Sequence, residues 1–375
     1  MRIYANKTVY EATVQRLHWI YDEFPNVVVS VSGGKDSTII FEMTLEVARE
    51  RGRLPLSVMW IDQEAEWQST VDQNRSTMYH PDVKPYWMQI PVRLFNATSG
   101  NDHWLNCWKP EDEATWIHPQ DPISIKENRY GTDRFSHLFD KIIGVEFAAH
   151  KTANIGGVRA EESPARLAGL TYWAKYKWAT WGKTLDRKRG HYTFYPIYDW
   201  SYTDVWKAIH ENGWQYNELY DTMYRYGIPI HDMRVSNVHH EQAVGALFFL
   251  QEFEPHTYSR LCGRLAGIDM AGKLGRDDYF VKDLPFMFKD WVEYRDYLLE
   301  HLIDREDWRG KLRKEFDDDD KRMGAVVGDV MYRSHIKSIL THDWEGVKVQ
   351  RFRNRMAMAG KRPAMSDRQS GKVPA

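Results

Sequence analysis

The chain has 375 residues, 42% of them apolar, and a formal charge of −2, enough for a sizeable core and against a chain-wide polyanion footprint. Two cysteines, Cys107 and Cys262, exclude a disulfide framework and a four-cysteine cluster supplied by this chain alone. No stretch reaches the ~20 apolar residues of a membrane helix. The N-terminus lacks the apolar core of a secretory signal, which points to a cytoplasmic protein with no membrane partner.

Apolar residues at three- and four-residue steps predict a helix over 9–24. The β-branched run at 27–31 predicts a buried strand, and 38–51 a helix that stops near Gly52. A second strand is expected at 56–62, a helix after it and a third strand at 84–92. Residues 96–130 read as an aromatic-rich ordered insertion, 133–150 as a helix and 152–159 as a strand entering a loop. This alternation predicts an α/β fold with a doubly wound, mostly parallel sheet. Short strands and helices are expected to go on alternating over 194–260, with Ser201 capping a helix that Gly213 ends. Pro255 is expected to end a later helix. Beyond 280 the pattern turns helical and charged, and the acidic run 316–322 reads as a solvated turn. Three parts are expected: 1–265, which binds nucleotide; a helical extension at 266–345; and a basic, partly disordered tail at 346–375. The tail is a candidate contact for nucleic acid. Sixteen tryptophans suit a large aromatic core first, and platforms for bases second.

The segment Ser30 to Ser37, SVSGGKDS, follows the valine run directly. Gly33 and Gly34 permit a sharp turn whose amides, with the positive end of the next helix, form an anion hole. Ser30, Ser32 and Ser37 add hydroxyls and Lys35 a full charge. Asp36 would be misplaced beside an anion unless Mg²⁺ bridges it to phosphate. The spacing is neither that of a Walker A loop nor of a dinucleotide fingerprint. Asp62 ends the second strand, where open α/β sheets place ligand-contacting residues, and is expected to reach ribose or metal. His231, Asp232, Arg234, His239 and His240 form a further polar cluster in which His231 or His240 is a candidate general base. Cys107 with His103 and His118 lacks an evident fourth zinc ligand.

SGGKDS resembles the PP-loop of the adenine nucleotide alpha-hydrolase fold. The strand ending in Asp62, the string GGVRAEESPAR (matching at Gly157, Arg159, Glu162, Ser163 and Arg166) and the segment around DVW resemble its phosphoadenosine phosphosulfate (PAPS) reductase-like branch. YRYGIPIHDMRVSN resembles a little-characterised bacterial and phage subgroup of that branch. Gln63 and Glu64 depart from the branch's Asp-Thr-Gly. The resemblance implies binding of ATP or a PAPS-like nucleotide by Ser30, Ser32 to Ser37, Asp62 and Gly157. Lys35, Asp36 and Arg159 would be catalytic, and Arg159, Arg166, His231 and Arg234 would bind the substrate anion. The expected cofactors are ATP and Mg²⁺ on Asp36. The branch's thiol string and its paired cluster cysteines have no counterpart here, so no iron–sulfur cluster is expected. The first reading is cleavage of ATP at the α-phosphate with transfer to an unknown acceptor, a nucleotide or nucleic acid. One alternative is sulfonucleotide reduction by Cys262, whose neighbours Arg260 and Arg264 would lower its pKa, or by a partner's thiol. Another is nucleotide sensing by a DNA-associated or otherwise protein-partnered regulator without turnover.

Overall fold

The computed structural model describes residues 6–356 apart from 97, 100–103, 231–232, 236–237, 239–246, 270–282, 304, 341–345, 347–348, 351 and 355. The side chains of 248 and 323–327 also lie outside the description. Two compact units are present. One comprises Met1–Phe95, Trp104–His239 and Phe249–Arg264, the other Asn96–His103, His240–Phe248 and Leu265–Ala375.

The first unit is built on a six-stranded sheet. Its strands are β1 (Asn26–Ser30), β2 (Leu56–Ile61), β3 (Val83–Met88), β6 (Thr152–Ile155), β7 (Gly182–Asp186) and β8 (His191–Phe194), in the order β3-β2-β1-β6-β8-β7. All neighbouring pairs are parallel except β7, which runs antiparallel to β8 at the edge. Val27 to Val29 of β1 are all buried, as expected of a strand with helices on both faces. Helices α1 (Val9–Glu23), α2 (Lys35–Glu50), α3 (Gln68–Met78), α4 (Phe135–Glu146), α5 (Pro164–Thr171), α6 (Tyr202–Asn212), α7 (Leu219–Arg225), α8 (Leu247–Phe253) and α9 (Pro255–Arg264) complete the described helices up to 264. Local chemistry sets their ends. Thr8 and Glu11 form a reciprocal capping box on α1, as do Ser201 and Asp204 on α6, and Gly213 closes α6 at φ 63°.

Two sequence expectations give way here. Among the described residues no strand follows Phe194, because the apolar stretches beyond it pack as helix faces. Residues 96–130 are not one insertion: Val92–Phe95 (β4) pairs with Trp104–Cys107 (β5), while Asn96–His103 belongs to the second unit. The helix before Pro255 ends as expected: α8 stops at Phe253 and, after Glu254, Pro255 opens α9 in the first turn, where proline loses no hydrogen bond.

The second unit contains α10 (Trp291–His301) and α11 (Glu306–Leu340), the latter interrupted at a non-helical Gly328. The acidic run lies inside α11, not in a turn. Asp319 is buried and accepts from Arg353 at 2.8 Å, with His335 Nε2 3.1 Å away, and Asp320 accepts from Arg295 at 2.9 Å. Arginines brought in by tertiary packing thus meet two of the four aspartates in the helix. Among the described residues, no helix is long and apolar enough to cross a membrane.

Candidate functional site

The strand order reverses between β1 and β6, so the loops leaving their carboxyl ends flank a crevice, where open α/β sheets bind ligands. The β1 loop turns at Gly33 with φ +69°. A side chain there would meet Thr70 Cγ2 at 2.7 Å. Gly34 is the N-cap residue of α2 and has no side chain with which to cap that helix start. From the other side, Gly157 approaches so closely that a Cβ would lie 2.5 Å from the carbonyl oxygen of Asp36. Glycine at both positions leaves a backbone-lined cradle at a positive helix terminus.

Side chains hold that cradle from below. Asn217 donates to Gly33 O at 3.3 Å and to Thr70 Oγ1 at 3.0 Å, and Thr70 donates to Val235 O at 2.9 Å. The Asn74 amide nitrogen is buried beside Gly33 with no acceptor among the described residues, an orphan donor such as an oxyanion would satisfy. The Tyr220 hydroxyl accepts from the Lys35 amide at 3.3 Å, and burial together with the charge of Asp36 pushes that phenol up.

Lys35 Nζ lies 3.1 Å from Asp36 Oδ2 and over the rings of Tyr220 and Tyr202 at 5.3 and 5.8 Å. Arg159 Nε donates to Asp36 Oδ1, and its NH1 lies 3.2 Å from Glu161. Arg159 is therefore consumed. It is 4% exposed and positions Asp36, where a free anion clamp was expected. Arg166, at the start of α5, is half-exposed and paired with Glu162. Burial and the like charges of Arg234 and Arg159 lower its pKa, opposed by Asp36. Lys35, Asp36, Arg159, Arg166 and Arg234 thus share one electrostatic environment. His231, Asp232, His239 and His240 lie outside the described residues.

The serines are engaged within the fold. Ser30 Oγ donates to Asn154 at 2.7 Å, Ser37 Oγ donates to Gly34 O at 2.8 Å, and the Ser32 amide donates to Ser37 Oγ at 3.2 Å. Asp62 is fully buried, in place of the expected ribose or metal contact. It accepts from Trp87 and Gln89 at 3.0 Å and from the Glu64 amide at 2.9 Å, with His118 Nε2 at 3.4 Å. Beside it Glu64 takes a left-handed φ of 62° and is clamped by Arg264 at 2.8 Å. Burial and the charge of Asp62 push Glu66 well up. Burial disfavours charged His118, but the charges of Asp62 and Glu64 outweigh it and raise its pKa. His118 lines a cleft of about 600 Å³ with Trp116, Gln120, Lys126 and Arg260.

Cys107 is fully buried, donates to Gln63 O at 3.2 Å, and has its thiol pushed well up by burial and then by the neighbouring carboxylates. That environment suppresses a thiolate. Among the described residues, no group of three or more His, Cys, Asp or Glu is arranged to hold a metal.

Sequence reasoning did not single out Tyr202, Tyr220, Asn217, Asn74 or Thr70. The first three lie in the proline-to-tyrosine stretch 196–221, which already carried the resemblance, but nothing local marks them as neighbours of residues some 185 positions away in the chain.

A family model described as the phosphoadenosine phosphosulfate reductase domain matches residues 117–226, and a domain of unknown function (DUF3440) matches 227–358. Over 322 residues the chain is 30% identical to the uncharacterized protein YbdN of Escherichia coli (strain K12), covering 81% of this chain and 78% of that one. Among solved structures, PAPS reductase from Candida auris, in a phosphate complex, aligns at 16% identity over 58% of this chain and 85% of that one, with a TM-score of 0.31. Candida glabrata FMN adenylyltransferase aligns at 13% identity over 58% of this chain and 62% of that one, with a TM-score of 0.36.

Proposed function

Because this chain belongs to the phosphoadenosine phosphosulfate reductase domain family, we propose that its glycine-lined cradle binds ATP and directs cleavage at the α-phosphate, with transfer of the adenylyl group to an acceptor. The observation that carries this reading is the start of α2, approached by the side-chain-free backbone of Gly33, Gly34 and Gly157, with Lys35 and the orphan donor of Asn74 beside it. These groups are complementary to the phosphates of a nucleotide.

The amides from Gly33 to Ser37 would hold the β- and γ-phosphates. Lys35 would neutralise charge that develops on the leaving pyrophosphate. Magnesium would be held by Asp36, in competition with Lys35, and by phosphate oxygens, and would supply further charge neutralisation. Arg159 holds Asp36 in place. The acceptor oxygen bonds to the α-phosphorus while the bond to the β-phosphate oxygen breaks, and pyrophosphate departs with the electron pair. Arg166 and Arg234 would hold an anionic acceptor near the α-phosphate. The sulfonucleotide alternative rests on Cys262, a partly buried cysteine of α9, and not on the buried Cys107.

The test follows ATP labelled at the α-phosphate, incubated with the full chain and Mg²⁺. The reading expects AMP or an adenylylated product, with pyrophosphate in equal amount, and loss of both in Lys35→Ala. Tight ATP binding without pyrophosphate would make the protein a nucleotide sensor instead.

A further inference from the structure

The aromatic residues are unevenly placed. Trp60, Trp67, Trp87, Trp108 and Trp200 are fully buried. Among the described residues, the two tryptophans on the exposed surface are Trp173 and Trp178, at 75% and 59% exposure, with Tyr172 beside them at 73%. All three fall in the short span between α5 and β7. A surface tryptophan is costly to leave wet, and three large rings in seven residues exceed the scatter of single exposed apolar side chains.

The same span concentrates positive charge in a chain whose formal total is −2. Lys175, Lys183, Arg187 and Lys188 take part in no ion pair among the described residues, and between 163 and 190 Asp186 is the sole acidic residue. Lys183 lies on the edge strand β7 and Arg187 to Arg189 in the turn that follows. Trp178 is also preformed: its ring packs on Trp19 at 4.8 Å and on Trp181 at 6.0 Å, which fixes its orientation while one face stays open.

We infer that residues 172–189 form a binding surface for single-stranded nucleic acid, with Tyr172, Trp173 and Trp178 stacking unpaired bases and Lys175, Lys183, Arg187 and Lys188 following the phosphates. Rings alternating with unpaired cations are the chemistry of single-strand binders, in which stacking tolerates any base and the backbone supplies the charge. A duplex keeps its bases stacked and offers nothing to the rings. A second copy of this chain would bring like charge against like charge in a two-fold contact. Arg166 of the nucleotide site lies in the first turn of α5, the helix that leads to Tyr172 about 9 Å further along. The inference goes beyond the ATP reading and stands apart from it, since oligonucleotide binding needs no ATP.

The experiment is fluorescence anisotropy of a fluorescein-labelled oligothymidine with the full chain, read between about 50 and 200 mM salt. Wild type is expected to bind, with affinity falling as salt rises. Tyr172→Ala/Trp173→Ala should weaken binding about tenfold. Lys183→Glu/Arg187→Glu/Lys188→Glu should weaken it and flatten the salt dependence. The substituted side chains are exposed, and an unchanged far-UV circular dichroism spectrum with Trp173→Phe retaining binding would exclude misfolding. The inference is overturned if wild type leaves the anisotropy unchanged, if a duplex of the same length binds equally well, or if both variant sets bind like wild type while Lys361→Ala/Arg362→Ala abolishes binding.

Discussion

Arg159, leaving β6, donates to the carboxylate of Asp36 in the first turn of α2, a bond that joins residues 123 positions apart across the crevice. Both side chains are largely buried, so each depends on the other for its charge. Arg159→Ala is expected to cost about 2–4 kcal/mol, with Lys35 still partly neutralising Asp36. Asp36→Ala on the Arg159→Ala background should cost markedly less than on wild type. Urea titration of the two single variants and the double variant measures this; full additivity would mean the pair carries no coupling.

Asp62 behaves as a structural carboxylate. Its removal strands the Trp87 indole and the Gln89 amide, each bonded to it at 3.0 Å in the interior. Asp62→Ala should therefore destabilise the fold by about 2–4 kcal/mol. Affinity for ATP, measured by calorimetry below the melting transition, should stay within about threefold of wild type; each tenfold loss would correspond to about 1.4 kcal/mol of missing nucleotide contact.

Glu42, on the helix that carries the nucleotide loop, has its carboxyl pushed up to about 7 by burial and by the charge of Glu46. Folding therefore takes up a proton between the ordinary carboxylate value and about 7. Stability is full below that window and declines as pH rises through it. Glu42→Gln should raise the melting temperature by a few degrees at pH 8, for a gain of about 1–2 kcal/mol, and leave it nearly unchanged at pH 4.5. Thermal unfolding at the two pH values reads the difference.

Cys107 should resist alkylation by iodoacetamide in the native chain and react only on unfolding, because burial keeps it as a thiol. Peptide mapping after labelling in and out of denaturant gives the comparison. Cys107→Ser should leave pyrophosphate release at wild-type level.

The valine run, the glycine turn and the Ser201 cap were legible because each is dictated by neighbours in sequence. Strands β7 and β8 were not, since GKTLD and HYTF are short, lack alternation and become strands through pairing with each other and β6. The acidic run of α11 misled for a related reason: Asp319 and Asp320 are met by Arg353 and Arg295, which composition cannot place there. In the site, the loop's residue types announced an anion hole, but the engagement of Arg159 and the burial of Asp62 are long-range facts. Tyr220 and Asn217 reach the loop from far along the chain, and no local pattern marks them.

Calorimetric titration of Mg²⁺–ATP into wild type, Gly33→Val and Gly157→Ala tests the cradle most directly. A side chain at 33 would collide with Thr70, and one at 157 with the Asp36 backbone, so either displaces the loop and helix start that line the cradle. The account predicts saturable binding to wild type, and at least a tenfold weaker affinity in both variants while they remain folded. Absence of binding to wild type, or binding by both variants with wild-type affinity, would contradict it.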